Sequence, residues 1–376
     1  MIKSIQTSII WKGRNTGATW FIPRACKVPH PEGDQYVMTC QNIGGSDVFG
    51  PVHHSVSTDS GQTWPGPHPI PGLERRDLPN GMQEGVCDIV PEYHPQTDTV
   101  LAMGHNVYYR DNVLTQAEED RHPVYTVRTR AGAWDPCRKL EWHDAEVPAM
   151  YTSGCAQRVT LPDGRILIPL SVGMAPEKPR SVCSAICSFD GTTVRIEEMS
   201  NSLHLDVGRG LLEPCVVTFQ DRYLMTIRAE DGRGYVSVST DGLTWGDAQP
   251  WCWDDGEPLS MSTTQQRWIT HSDGLFLVYT RKAEANANVM RWRAPLYIAE
   301  VNPDTMRLKR STERIVFPLL GDGINDPDHV ARMGNFHTLN VSPTESWIMV
   351  GETLPNDGWG GNTLMARITW TKPNGL

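Results

Sequence analysis

Ser57-Thr58-Asp59-Ser60-Gly61-Gln62-Thr63-Trp64 fits the pattern S-x-D-x-G-x-T-W, and each fixed position has a physical reason. An Asp in a tight turn accepts backbone N–H bonds from the residues that follow it. Gly supplies a positive φ without steric cost, and the terminal Trp lies back over the hairpin as an apolar plug. A second copy, Ser239-Thr240-Asp241-Gly242-Leu243-Thr244-Trp245, is one residue shorter between Asp and Gly. A weaker third, Ser188-Phe189-Asp190-Gly191-Thr192-Thr193-Val194, ends on Val instead of Trp. Recurrence of one hairpin-closing unit marks a repeat architecture of β-sheets.

Composition agrees. With 33 Gly, 28 Pro, 13 Trp and 39% hydrophobic residues among 376, the chain suits many short strands joined by tight turns. No Pro/Ser-rich linker or charge block divides it, so a single domain, 1–376, is expected. A net charge of −10 opposes general affinity for nucleic acid or anionic membranes, both of which need basic patches. The nine cysteines include no C-x-x-C pair and read as buried free thiols in a reducing compartment. Met1 to Trp11 lacks the apolar core of a signal peptide, which makes a cytoplasmic location the simplest expectation.

A β-rich run, turn residues and a second β-rich run occur six times: Arg24 to Cys40, Val86 to Gly104, Gln157 to Ser171, Glu213 to Arg228, Gln266 to Tyr279 and Phe336 to Glu352. The openers Arg24, Asp88, Arg158, Glu213, Gln266 and His337 recur at roughly 50- to 70-residue intervals, enough for one four-stranded blade each. Leu161-Pro162-Asp163-Gly164-Arg165 and His271-Ser272-Asp273-Gly274-Leu275 place Asp-Gly turns between apolar runs. The fold class is therefore all-β, a six-bladed β-propeller. Seven blades are the alternative, should Arg110 to Val124 hide short strands. The segment Ser4 to Trp11 has the period to add a strand beside Ala366 to Trp370 and close the last blade.

The octapeptide resembles the Asp-box of the sialidase (neuraminidase) superfamily, and the resemblance extends over nearly the whole chain. It implies a glycosidase with its site at the propeller axis. In that family an Arg beside Ile-Pro opens the first blade and binds the substrate carboxylate; Phe21-Ile22-Pro23-Arg24-Ala25 is similar, with Arg24 shifted past the Pro. Asp47, ten residues ahead of Ser57, falls near the family's acid/base Asp. Glu213-Pro214 with Arg228 resembles the Glu that polarises the nucleophile and the second carboxylate-binding Arg. Arg293-Ala294-Pro295-Leu296 fits the third Arg, with Arg281 and Arg291 as alternates. The chain departs where the family carries its tyrosine nucleophile: Phe336-His337-Thr338-Leu339 stands there, and a phenyl ring cannot attack an anomeric carbon.

The chemistry follows from residue types. Guanidinium forks match carboxylate or sulfate, so Arg24, Arg228 and Arg293 together select an anionic sugar. Two of Glu213, Asp47 and Asp88 supply acid and base for hydrolysis by water. His105 or His337 with Tyr108, Tyr109 or Tyr151 would instead suit β-elimination on a uronate. The leading expectation is a hydrolase removing a terminal acidic sugar from a glycan or oligosaccharide. A uronate lyase and a non-catalytic glycan-binding propeller are the alternatives. No cofactor or metal is expected: His53 and His54 are adjacent, so in a strand they face opposite ways, and no H-E-x-x-H or acidic calcium loop occurs. Glu118-Glu119-Asp120 and Pro355 to Gly361 read as rim loops.

Overall fold

The computed structural model describes residues 1–14, 18–79, 81–115, 120–143, 146–176 and 178–375. They form six antiparallel sheets in chain order. Blade 1 comprises Trp20–Val28, Gln35–Gly45, Val48–Ser57 and His68–Pro69, from axis to rim. Blade 2 comprises Gln83–His94, Thr99–Arg110, Pro123–Arg128 and Arg138–Lys139. In blade 3 the inner position is shared by Met150–Thr152 and Val159–Thr160, followed by Ile166–Gly173, Ser181–Phe189 and Val194–Met199. Blade 4 comprises Leu212–Phe219, Arg222–Arg228, Gly234–Ser239 and Gln249–Pro250. Blade 5 comprises Arg267–His271, Gly274–Tyr279, Leu296–Asn302 and Arg307–Leu308.

Blade 6 takes Arg332–Ser342, Glu345–Thr353 and Thr363–Trp370 from one end of the chain and its outer strand, Ile2–Trp11, from the other. Ser4 opposes Thr369 and Ile9 opposes Leu364, which pairs an edge that would otherwise be open. The stretch Arg110 to Val124 adds no seventh blade among the described residues: Val113–Leu114 pairs with Thr99–Arg110 inside blade 2. Glu118 and Glu119 lie outside the described residues.

The apolar core lies between blades. Met38 and Tyr36 meet Trp347 and Met349 across blades 1 and 6; Leu101 and Tyr125 meet Ile168 and Ala185 across blades 2 and 3. Leu167 and Ile186 meet Met225 and Ile227; Leu224 and Val236 meet Leu277 and Ala299; Val278 and Ile298 meet Ile348 and Val350. The motif loops rivet these seams, each resting on the preceding blade. Asp59 accepts from Ser57 Oγ at 2.8 Å, Thr63 N at 3.0 Å and Thr63 Oγ1 at 2.6 Å, while Trp64 packs edge-on against Trp347 at 6.3 Å. Asp241 accepts from Leu243 N and Thr244 N at 2.8 and 2.7 Å, and Trp245 Nε1 donates to Ser184 Oγ of blade 3 at 2.8 Å. In the third loop Val194 N donates to Tyr125 OH of blade 2 at 3.1 Å.

Four inner strands share a defect that shapes the axis. Between Phe21 and Arg24, Cys87 and Val90, Leu212 and Cys215, and Gly334 and His337, three steps on the inner strand face two on its neighbour. The extra residue adopts a positive φ each time: Ile22 at 55°, Asp88 at 56°, Glu213 at 45° and Asn335 at 56°. Such bulges break the alternation of side chains and re-aim one of them. In blade 3, Cys155 at φ 66° turns the break in the inner strand.

Gly61 sits at φ 70°, and a Cβ there would come 2.4 Å from Cη2 of Trp347. Gly61→Ala is expected to cost about 2–4 kcal/mol in urea unfolding. Gly66→Ala, whose Cβ meets nothing within 4 Å, is expected to leave the midpoint nearly unchanged. Equal effects from the two would show that the loop does not lock blade 1 to blade 6.

Candidate active site

The bulges open onto a cavity of about 460 Å³ at the axis, and Asp88, Glu213 and Asn335 line it together with Asp47. Asp47 occupies the tight turn between Gln35–Gly45 and Val48–Ser57 at φ 57°, with its backbone carbonyl held by Tyr109 OH at 3.1 Å. Its carboxylate makes no side-chain hydrogen bond or close ion pair among the described residues and lines the cavity, where its charge acts on Arg209 and Arg293.

Glu213 is fixed from two sides. Its N–H donates to Ser171 Oγ at 2.9 Å, and Arg228 Nη1 donates to its Oε1 at 2.5 Å. Its Oε2 is buried without a partner. Arg228 is steadied in turn by Thr263 Oγ1 at 3.0 Å.

Asp88 receives Arg24 Nη2 at 2.6 Å. Burial alone would raise the Asp88 carboxyl; Arg24, His105 and Cys155 outweigh it and hold the group below the ordinary Asp range. His105 Nε2 lies 3.3 Å from Cys87 Sγ, and burial with the nearby Arg121 pushes its pKa down to about 3. A Cβ at residue 154 would come 1.9 Å from His105 Nδ1, so Gly154 is what lets this wall close. Burial followed by the charge of Asp88 raises the Cys87 thiol well above its usual range, which removes it as a nucleophile.

Cys87, Asp88 and His105 place one ligand atom each within 4.8 Å of the others, a spacing that suits a metal ion. The electrostatics oppose it. Asp88 is already neutralised by Arg24, and Arg121 adds a further cation beside the trio.

Arginine dominates the walls. Arg121, Arg180, Arg209, Arg228, Arg291 and Arg293 line the cavity against four carboxylates, Asp47, Asp88, Glu213 and Glu230. Arg209 grips Glu230 through Nε and Nη2 at 2.9 and 2.6 Å. The Arg180 and Arg209 loops bond directly, Arg180 N to Arg209 O at 2.8 Å, and Gly210 has room for no Cβ against Arg180 O at 2.2 Å. Arg293 follows two successive positive-φ residues, Arg291 at 53° and Trp292 at 49°, and packs over Gly334. Strain of this kind costs on the order of 1–3 kcal/mol per residue and gathers at functional sites.

The residues expected from sequence divide cleanly. Asp47, Asp88, His105, Glu213, Arg228 and Arg293 line the cavity, as does the alternate Arg291. Arg24, expected to meet substrate, is 0% exposed and lies beneath the floor, because the bulge gives the axial position of blade 1 to Ile22. His337 lies two residues past the axial position of blade 6 and is buried, its Nε2 donating to Ala25 O at 2.8 Å. Phe336 is 0% exposed and packs with Ile269 and Ile348, which leaves Asn335 at the axis. Arg281 forks onto Glu313 at 2.8 and 2.7 Å, outside the cavity lining. Tyr108 OH accepts from Asn106 Nδ2 at 3.0 Å, and neither Tyr108, Tyr109 nor Tyr151 is in the lining. Sequence reading missed Arg121, Arg180, Arg209, Glu230 and Asn335. Only Gly208-Arg209-Gly210, an Arg between two turn-forming glycines, carried a local signal.

His105 titrates near 6.5 when unfolded and near 3 when folded, so between those values the unfolded chain binds a proton that the folded one does not. Stability therefore falls as pH drops from 6.5 towards 3, by up to about 1.4 kcal/mol per pH unit for this group. His105→Gln is expected to flatten the slope of unfolding free energy against pH between 6.5 and 5, measured by urea denaturation. An unchanged slope would show that His105 is protonated in the folded protein.

No family model matches this chain, and no curated protein matches it. Solved structures share its fold. A Trypanosoma rangeli sialidase in complex with the inhibitor DANA aligns with a TM-score of 0.66 at 14% identity, over 98% of this chain and 60% of that one. The chain thus spans about 60% of the length of that sialidase. A Dyadobacter fermentans protein of unknown function aligns at 0.70 with 13% identity, covering 98% of this chain and 99% of that one. A Fusarium graminearum α-L-arabinofuranosidase aligns at 0.59 with 12% identity, covering 97% and 98%. The chain has a six-bladed propeller fold like that of this sialidase and of the arabinofuranosidase.

Proposed function

We propose that this protein is a glycoside hydrolase that removes a terminal acidic sugar, of the sialic or uronic acid type, from a glycan or oligosaccharide. The observation that carries the reading is one axial cavity in which an excess of arginine surrounds two differently held carboxylates, Asp47 and Glu213. The guanidinium groups bind the acidic group of the sugar. Asp47, which makes no side-chain hydrogen bond among the described residues, exchanges a proton with the glycosidic oxygen. Glu213 has one oxygen tied to Arg228, and its unpartnered Oε2 is suited to accept a proton from the attacking water.

Water as nucleophile fits a lining that holds no tyrosine among the described residues. The same fact weighs against β-elimination, which pairs a base with a tyrosine. A purely binding role gives no reason to bury an unsatisfied Glu213 oxygen, which costs about 1–3 kcal/mol. Action at chain ends suits a cavity whose floor is closed by the buried Arg24–Asp88 pair.

The test is mass spectrometry of products from sialylated and uronate-terminated oligosaccharides incubated in H₂¹⁸O. The expected result is a released acidic sugar carrying one ¹⁸O, with Glu213→Gln and Asp47→Asn each lowering kcat by about 10²–10⁴-fold. An unsaturated uronate without ¹⁸O, or full activity in both variants, would overturn the assignment.

A further inference from the structure

The arginines of the cavity are not equivalent. Arg228 is bonded to Glu213 and Arg209 to Glu230. Arg121, Arg180, Arg291 and Arg293 have no side-chain hydrogen bond or ion pair among the described residues, and the Nε atoms of Arg121 and Arg293 are buried without a partner. An unpaired cation in a half-buried wall is costly unless a ligand neutralises it.

These four form two groups. Arg121 precedes the Pro123–Arg128 strand of blade 2 and bridges to Met150 of blade 3; Met150 pairs with Gly173, against which the Arg180 side chain packs. Burial, then Arg121 and Arg209, lowers the Arg180 pKa to about 10. Arg291 and Arg293 line the cavity from blade 5, and the Arg293 side chain packs against Gly334 of blade 6. Burial, then Arg291 and Arg228, lowers Arg293 likewise to about 10. Arg180 and Arg293 therefore stay cationic at neutral pH. In a ring of six, blades 2 and 3 stand opposite blades 5 and 6, so the two pairs face each other across the axis.

We propose that the cavity takes a sugar unit or disaccharide bearing two oxyanion groups, one held by Arg121 and Arg180 and the other by Arg291 and Arg293. This rests on the acidic-sugar reading and sharpens it: a sugar with a single carboxylate leaves one arginine pair empty. Asp47 of blade 1 and Glu213 of blade 4 come from the two blades that separate these pairs in the ring.

The matched open-chain series galactitol, galactonate and galactarate carries no, one and two carboxylates on one carbon skeleton, and its binding is measured by isothermal titration calorimetry at low salt. The expected result is galactarate binding about tenfold or more tighter than galactonate, and galactonate tighter than galactitol. Arg180→Gln and Arg291→Gln, both at half-buried positions, should each bring galactarate to about the affinity of galactonate. Equal affinity of galactarate and galactonate, both above galactitol, would overturn the two-anion proposal while leaving the acidic-sugar reading standing. No preference for either acid over galactitol would overturn both.

Discussion

An inner propeller strand that kept strict alternation would send its side chains into the seams between blades and leave the axis bare. The positive-φ bulge prevents this. By inserting one residue into the pairing at Ile22, Asp88, Glu213 and Asn335, it lifts one side chain per strand out of register. Three of the four become cavity lining. The strain is sustained because the surrounding sheet is over-determined: the residues that follow, such as Phe336 and His337, return to buried packing and to Ala25 O of the next blade. Ring closure by Ile2–Trp11 and the riveting loops hold the four bulges and the break at Cys155 around one axis.

The electrostatic character of the cavity inverts that of the chain. A protein with a net charge of −10 concentrates six arginines around one 460 Å³ space and sets only four carboxylates among them. Low-dielectric walls focus this local excess and draw anions inward while the outer surface repels them. Below the floor, Arg24 bonds Asp88 through Nη2, Arg158 pairs with Glu92, and Gln157 bonds Trp268 O and Thr338 Oγ1.

The fold was legible because its signals are local. Asp59, Gly61 and Trp64 close their own turn, and Asp-Gly pairs mark hairpins whatever lies beyond them. Asp47, Glu213 and Arg228 were legible too, since each sits within a short, recognisable run. What escaped was set by three-dimensional register. A bulge moves the axial position of blade 1 from Arg24 to Ile22 and that of blade 6 from His337 to Asn335, and nothing in Phe-Ile-Pro-Arg or Asn-Phe-His announces the shift. Arg121, Arg180 and Arg209 reach the cavity from loops whose paths depend on neighbouring blades, through bonds such as Arg180 N to Arg209 O. Such residues have no sequence motif because no single segment defines them.

In the proposed function the acidic sugar sits at the axis between Asp47 and Glu213, with its charge on arginine. A crystal structure of the protein soaked with galacturonate tests it most directly. The predicted density places the carboxylate about 3 Å from cavity guanidinium groups and the anomeric carbon between the two carboxylates. A sugar bound elsewhere, such as the groove lined by Val236, Asp247 and Arg307, with the axial cavity holding only solvent, would contradict it.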